Sequence, residues 1–311
     1  MMTFSRNAVL ALLGLTVAEF SLAKAGIGAR IAALEASNSS TLQYPSQFTQ
    51  NIMPKPIHSH NDYWRDVPLL TALSFGVTSV EADVWFINNT LFVGHEEAAL
   101  TPDRTFDSLY VQPLVQILEQ MNPRNAFTEG QTRPNGVWDT ASGIPLQLLV
   151  DMKTDGEATL PPVLEALSPL RERGYLSTFT DGAFTQSAVL VIGTGNTPLA
   201  QVQALSPRDF FFDAPLTGLE DPTVNWDPTL SPIASTDFAA AVGWSGLGTI
   251  SDAQLGNLTK FINDAKARGI NSRFWNTPEW PVFARENIWR ALLNNGAFWL
   301  NADDLEAASQ F

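Results

Sequence analysis

Two carboxylates, three histidines and an aspartate–lysine pair carry the chemistry that this sequence most plainly offers. Glu81-Ala82-Asp83 lies inside the apolar run Ser79–Ile87, and His58-Ser59-His60 closes a shorter run that begins at Pro56. Side chains alternate along a strand, so Glu81 and Asp83 point the same way, and so do His58 and His60. Asp151 and Lys153 close the apolar run Leu146–Met152 with the same alternation. Charges on strands this apolar require partners or a metal. Two neighbouring carboxylates repel, burial worsens the repulsion, and a divalent cation removes it. With Asp151 added, three oxygen ligands and free water positions suit Mg2+ or Ca2+ better than zinc. The competing reading is a set of ordinary salt bridges to Lys153 or Arg65.

The chain has 3 histidines, and the third, His95, follows the apolar run Leu91-Phe92-Val93-Gly94, which can extend the β-structure of the second unit. Two imidazoles on opposite sides of a phosphodiester can serve as general base and general acid. A His-x-His pair at the end of a first strand also fits a metal-dependent amidohydrolase. Those sites draw further histidines from later strands, and none follows His95. A glycosidase using Glu81 and Asp83 is disfavoured, because carboxylates two residues apart on one strand are poorly placed to flank a glycosidic bond.

These residues need a scaffold that gathers strand ends. From Lys55 onward, short apolar runs alternate with segments of helical period, which predicts βα units and a parallel sheet. The predicted strands are Pro56–His60, Ser79–Ile87, Leu146–Met152, Ala188–Gly193, Asp209–Asp213, Ala240–Trp244, Asn271–Asn276 and Ala297–Asn301. Helices are predicted over Pro68–Phe75, Asp252–Arg268 and Pro281–Asn294, closed by Gly76, Gly269 and Gly296. Eight such units over about 250 residues predict an α/β TIM barrel in a single domain, with an open doubly wound sheet as the alternative. In a barrel, catalytic side chains stand at the C-terminal ends of strands, where these polar residues fall. Asn122–Ile144 is rich in Gly, Pro, Thr and Asn and reads as a long loop, either a lid or a plain surface excursion. Trp85, Trp244, Trp275 and Trp280 stand near strand ends, as pocket wall or as packing.

The N-terminus reads as an export signal. Arg6 precedes the apolar run Ala8–Val17, followed by Ser21-Leu22-Ala23, with cleavage expected after Ala23 or Ala25. The division expected is a signal peptide over 1–23, a helix (Ala25–Ala36) and linker over 24–53, and the barrel over 54–311. The sequons at Asn38, Asn89's neighbour Asn88 and Asn257 lean toward a eukaryotic secretory route. With 0 cysteines, disulfides, zinc–thiolate sites and cysteine nucleophiles are excluded. A net charge of −14 argues against nucleic acid and against adsorption to anionic membranes. No stretch beyond the leader is apolar enough for stable membrane insertion. The partner expected is a small-molecule or lipid phosphodiester, taken by a secreted monomer.

A family resemblance rests on four segments: Lys55-Pro56-Ile57-His58-Ser59-His60-Asn61-Asp62-Tyr63, Pro68-Leu69-Leu70-Thr71-Ala72-Leu73, Gly76-Val77-Thr78-Ser79-Val80-Glu81-Ala82-Asp83-Val84 and Leu91-Phe92-Val93-Gly94-His95. Together they resemble the PLC-like phosphodiesterase superfamily, which includes the glycerophosphodiester phosphodiesterases, and most nearly its fungal altered inheritance of mitochondria branch. Asp151-Met152-Lys153 is similar to the acidic-x-Lys third strand, and Arg273-Phe274-Trp275-Asn276 and Asn301-Ala302-Asp303 resemble the last two strands. The resemblance implies a TIM barrel with one divalent metal on Glu81, Asp83 and Asp151. It implies acid–base work by His95 and a first-strand histidine, and phosphate contact by Lys153. Glycerophosphodiesterases begin with His-Arg-Gly, which this chain lacks, so the first-strand role falls to His58 or His60; His58 has the stronger claim because it directly follows the apolar start of its strand. A phospholipase D-like or sphingomyelinase D-like enzyme is the alternative, although the C-terminal motif of the spider toxins is missing from Asp303–Phe311. A non-catalytic barrel is the rival from another class.

Overall fold

The structure is a computed structural model that describes residues 26–38 and 48–311. The predicted signal peptide and the first sequon's Ser39 and Ser40 lie outside the described residues. Helix α1 (Ile27–Ala36) has no buried side chain. Among the described residues, no helix is long and apolar enough to cross a membrane.

Residues from Phe48 to the C-terminus form one compact unit. Its strands, in chain order, are β1 (Lys55–Ser59), β2 (Val77–Ile87), β3 (Thr90–Val93), β4 (Leu146–Met152), β5 (Thr178–Thr180), β6 (Ala183–Thr185), β7 (Val189–Gly195), β8 (Phe211–Pro215), β9 (Ile233–Asp237), β10 (Asn271–Trp275) and β11 (Leu300–Ala302). Eight of them run parallel in the order β10-β9-β8-β7-β4-β2-β1-β11. A parallel bridge between Arg273 and Trp299, with Trp299 N–H donating to the Ser272 carbonyl at 3.1 Å, joins the two ends and closes the barrel. The expected TIM barrel is therefore present. Strand β3 turns back antiparallel on β2, and β5 and β6 form a separate hairpin.

Strands buried on both faces read as continuous apolar runs. Leu148, Val150 and Met152 of β4 pack outward under the helices, while Leu149, Ile192, Phe211, Ile233 and Trp299 fill the barrel interior. On β1 and β2 the inward positions are polar, with His58, Ser79, Glu81 and Asp83, and on β4 Gln147 and Asp151 flank Leu149; this polar wall of the barrel places the site. The helices end where their sequences say they should. Gly76 has φ +79° beside the Met53 carbonyl, where a Cβ would stand 2.1 Å from the oxygen. Helix α8 (Asp252–Ala267) starts on a capping box between Ser251 and Gln254. For this label, α2 to α7 are Leu70–Ser74, Gln112–Met121, Gly156–Ala166, Ser168–Glu172, Leu199–Ala204 and Phe238–Ala241, and α9 and α10 are Val282–Asn295 and Leu305–Gln310.

One predicted strand is misplaced. The sixth barrel strand is Ile233–Asp237, and the predicted segment Ala240–Trp244 instead contains the end of α7. Asp237 ends the strand because its carboxylate caps α7, accepting from Ala240 N–H at 2.9 Å. Val242 and Trp244 are both buried behind α7, which gives the predicted segment its apolar look. Residues 122–145 carry no helix or strand, as the composition of that stretch predicts.

Candidate active site

Register brings the acidic residues together. Strands β2 and β4 pair Asp83 directly with Asp151, and Glu81 stands two residues below Asp83 on the same inward face. One oxygen from each of Glu81, Asp83 and Asp151 lies within 4.8 Å of the others, a spacing that fits a metal ion. Asp83 Oδ1 and Asp151 Oδ1 are buried without hydrogen-bond partners. Gly195 makes room for Asp151: it has φ +63°, and a Cβ there would stand 1.9 Å from Asp151 Oδ1.

The cations near these acids are already engaged. Lys153 Nζ lies 2.7 Å from Asp151 Oδ2 and 2.9 Å from Asp83 Oδ2. Arg273, from β10 on the far wall, donates from Nη2 to Glu81 Oε1 at 3.4 Å and from Nε to Asn301 Oδ1 at 2.9 Å. Burial alone would raise the pKa of Glu81, but the Arg273 charge and the imidazoles nearby hold it well below the usual carboxylate range. Asp83 lacks that help. Burial, then the charges of Glu81 and Asp151, push it up to about 7. Burial also raises Asp151, against the pull of Lys153. Asp213 on β8, which sequence reading did not single out, is pushed by burial up to about 6.

The loop after β1 wraps the acids. Asn61 adopts the left-handed conformation, φ 49°, which Asn tolerates, and its backbone N–H donates to Glu81 Oε2 at 2.9 Å. Asp62 locks the turn from below, accepting from Ser59 Oγ at 2.7 Å, Leu69 N–H at 2.7 Å and Tyr110 OH at 3.1 Å. The Tyr63 hydroxyl sits 2.6 Å from Asp83 Oδ2 and 3.1 Å from His95 Nδ1. Arg65 ties the loop to the end of β11, donating to the carbonyls of Asp303 and His60.

The three histidines stand at three depths. The His58 side chain has 0% exposure, with Nδ1 2.7 Å from Ser79 Oγ and Nε2 3.7 Å from Glu81 Oε2. Burial, aided by the Arg273 charge, lowers its pKa to about 3, so it is neutral. His60 is 24% exposed, with Nδ1 3.1 Å from Asp303 Oδ1 and Nε2 4.0 Å from Glu81 Oε2. His95 is 50% exposed, with Nδ1 3.5 Å from Asp83 Oδ2. Its ring lies against Trp64, at 5.1 Å between centroids. All seven sequence-predicted site residues, His58, His60, Glu81, Asp83, His95, Asp151 and Lys153, thus meet at the C-terminal end of the barrel strands.

Residues 46–213 match the model of the AIM6-like phosphodiesterase domain, more than half of the chain. The chain belongs to the AIM6-like phosphodiesterase family. The altered inheritance of mitochondria protein 6 homolog of Arthroderma benhamiae is 44% identical over 279 residues, covering 86% of this chain and 87% of that protein. Altered inheritance of mitochondria protein 6 of Eremothecium gossypii is 36% identical, covering 82% and 69%. Among solved structures, a glycerophosphodiester phosphodiesterase from Parabacteroides distasonis is similar over 84% of this chain and 96% of that one, at 11% identity and a TM-score of 0.46.

Family membership leaves the neighbours of the predicted residues to the structure. Tyr63, Ser79, Arg273, Asn301 and Asp303 join the site without having been singled out for it. Arg273 was legible, being a cation within a buried strand, the same signal that marks Glu81 and Asp83. Tyr63 and Ser79 carry no such mark. Of the predicted aromatic wall, Trp244 belongs to the hydrophobic core and Trp85 donates to the Gly94 carbonyl at 2.7 Å. Trp275 and Trp280 are exposed on and after β10, and Trp64, which was not among the predicted aromatics, packs its ring against His95.

Proposed function

We propose that this protein is a metal-assisted phosphodiester hydrolase, with Glu81, Asp83 and Asp151 as the ligands of one divalent ion, Mg2+ or Ca2+, and His60 and His95 as the acid–base pair. The observation that carries this reading is the pair of buried, unpartnered oxygens, Asp83 Oδ1 and Asp151 Oδ1, within the three-carboxylate cluster. Lys153 satisfies the other oxygen of each aspartate and leaves these two for a cation. A bound divalent ion would supply electrostatic stabilisation of the phosphate oxygens as charge develops on them.

The chain's own groups handle the protons. Asp303 is an acceptor only, so it holds a proton on His60 Nδ1 and leaves Nε2 for transfer. His95 Nδ1 faces the Tyr63 hydroxyl at 3.1 Å and Asp83 Oδ2 at 3.5 Å, and its Nε2 is left for transfer. One imidazole takes the proton of the attacking hydroxyl or water, and the other protonates the leaving oxygen. This assignment prefers His60 to His58, because a fully buried neutral ring cannot reach a substrate. Lys153 would contact a phosphate oxygen as a point charge.

The substrate class proposed is a glycerophosphodiester or a lysophospholipid, taken outside the cell after removal of the N-terminal leader. The test is to express the whole chain in a secreting host, sequence the N-terminus of the product and assay both substrate classes with and without EDTA. Loss of turnover in EDTA, recovery with Mg2+ or Ca2+, and a fall of about 100-fold or more in His60→Ala and His95→Ala are expected. Full activity in EDTA would refute the metal role.

A further inference from the structure

Below the carboxylates, three polar side chains from three adjacent strands share one layer of the barrel. Strand register pairs His58 with Ser79 and Ser79 with Gln147. Gln147 Nε2 lies 2.7 Å from Ser79 Oγ, which lies 2.7 Å from His58 Nδ1. All three residues are buried. An amide nitrogen has protons and no lone pair to offer, so Gln147 donates to Ser79. The Ser79 hydroxyl therefore directs its own proton to its other neighbour, His58 Nδ1. That nitrogen becomes an acceptor, and the single proton of the neutral ring resides on Nε2. His58 Nε2 has no hydrogen-bond partner and stands 3.7 Å from Glu81 Oε2. The opposite polarity, with the amide oxygen turned toward Ser79, would leave a bare Nε2 lone pair facing a buried carboxylate oxygen, with nothing to offset the repulsion.

We infer that Gln147, Ser79 and His58 form a directional hydrogen-bond relay that keeps His58 in its Nε2–H tautomer and aims that proton at Glu81, making His58 a positioning residue for this carboxylate. Glu81 accepts from the Asn61 backbone N–H at 2.9 Å and from Arg273 at 3.4 Å, and the His58 Nε2–H faces it from 3.7 Å below. A carboxylate held on several sides cannot rotate away from its partners. Ligands oriented in this way typically lose 10–100-fold in metal affinity when the orienting group is removed. That consequence rests on the metal site proposed above; the tautomer itself does not.

The test uses the whole chain, labelled with 15N and free of metal and substrate. Long-range 1H–15N spectra report the tautomer of each ring, and His60→Asn and His95→Asn variants assign the three spin systems. A pyrrole-type signal for His58 Nε2 and an imine-type signal for Nδ1 are expected. The reverse pattern would overturn the relay. Calorimetric titration with Mg2+ then compares the wild type with Ser79→Ala, for which 10–100-fold weaker binding is expected. Unchanged affinity in Ser79→Ala would overturn the positioning role. Absence of Mg2+ and Ca2+ binding in the wild type would instead refute the proposed metal function and leave the tautomer result standing. If Ser79→Ala fails to fold, the wild-type spectrum still decides the relay.

Discussion

Replacing Gly195 with alanine tests the role of Asp151 without touching a charged residue. Gly195 has φ +63°, and a Cβ there would lie 1.9 Å from Asp151 Oδ1 and 2.9 Å from the Met152 carbonyl. The backbone cannot easily yield, because Gly195 is in register with Met152 and Asn196 N–H donates to the Met152 carbonyl at 2.9 Å. The Asp151 carboxylate must therefore swing aside. The left-handed backbone alone costs about 1–2 kcal/mol with a Cβ. At about 2–4 °C per kcal/mol, the metal-free variant should melt about 2–8 °C below the wild type. The metal effect is separate. An ion at about 100 times its Kd stabilises the wild type by about 2.7 kcal/mol, or about 5–11 °C. If displacing Asp151 weakens binding about 100-fold, the same concentration gives the variant only about 0.4 kcal/mol. Scanning calorimetry in EDTA and then in excess Mg2+ or Ca2+ reads both quantities. A variant that is destabilised in EDTA yet keeps the full gain with metal would refute Asp151 as a ligand.

Two further outcomes follow from the same geometry. Asp83 titrates near 7 in the folded chain, raised from 3.8 by burial and by the charges of Glu81 and Asp151, so the native state holds a proton that the unfolded state has released. Stability from that proton is fully present below the unfolded value and is lost as pH rises toward 7. Buried His58, lowered to about 3, acts with the opposite sign below its ordinary 6.5, and Asp213, raised to about 6, with the same sign, so the melting temperature is compared with that of Asp83→Asn: without metal, the wild type should lose ground against that variant as pH rises toward 7, and saturating metal should flatten this difference. Glu81 acts with opposite sign but at lower pH, since its folded pKa is depressed and its contribution is lost only on acidification below its ordinary value of 4.5. A difference between wild type and Asp83→Asn that does not change with pH in EDTA would sink the argument. Asp62→Ala strips two donors, Ser59 Oγ and Leu69 N–H, of their acceptor, while the Tyr110 hydroxyl keeps the Glu81 carbonyl at 3.0 Å, and each donor left unsatisfied costs about 1–3 kcal/mol; urea unfolding should show a loss of about 2 kcal/mol or more, whereas a loss below about 1 kcal/mol would mean the loop does not depend on it.

The barrel was legible because buried parallel strands and amphipathic helices alternate in pattern. Where the pattern failed, a second physical effect had overridden it. Ile233–Asp237 holds two apolar residues and three polar ones, too few to stand out, while Ala240 to Trp244 reads as a strand because Val242 and Trp244, two residues apart, are both buried behind a short helix. The three acidic residues could be found because ionised groups on apolar strands are costly and so demand an explanation. Depth could not be found. His58 directly follows the apolar start of β1, which suggested the better-placed catalyst, yet position along an inward face also means distance from the mouth. Two residues further on, His60 is the ring that reaches the opening. Ser79 and Gln147 were invisible for a related reason: neutral polar residues in a strand raise no alarm until their partners are known.

The salt-bridge and metal readings can be separated by counting lone pairs. A single ammonium, Lys153, lies against one oxygen of Asp83 and one of Asp151. Arg273 is committed to Glu81 and Asn301. If ion pairing were the whole purpose, the remaining oxygens should find donors, as buried polar atoms nearly always do. Asp83 Oδ1 and Asp151 Oδ1 find none, and a glycine that accepts a strained backbone preserves the space beside one of them. The rise of Asp83 to about 7 is the electrostatic counterpart of that gap: without another cation, a proton is the charge that relieves it. Three ionised carboxylates against two cations also leave the cluster net negative, which would repel a phosphodiester. A divalent ion would reverse that sign and satisfy both orphaned oxygens at once, whereas a proton can satisfy only one.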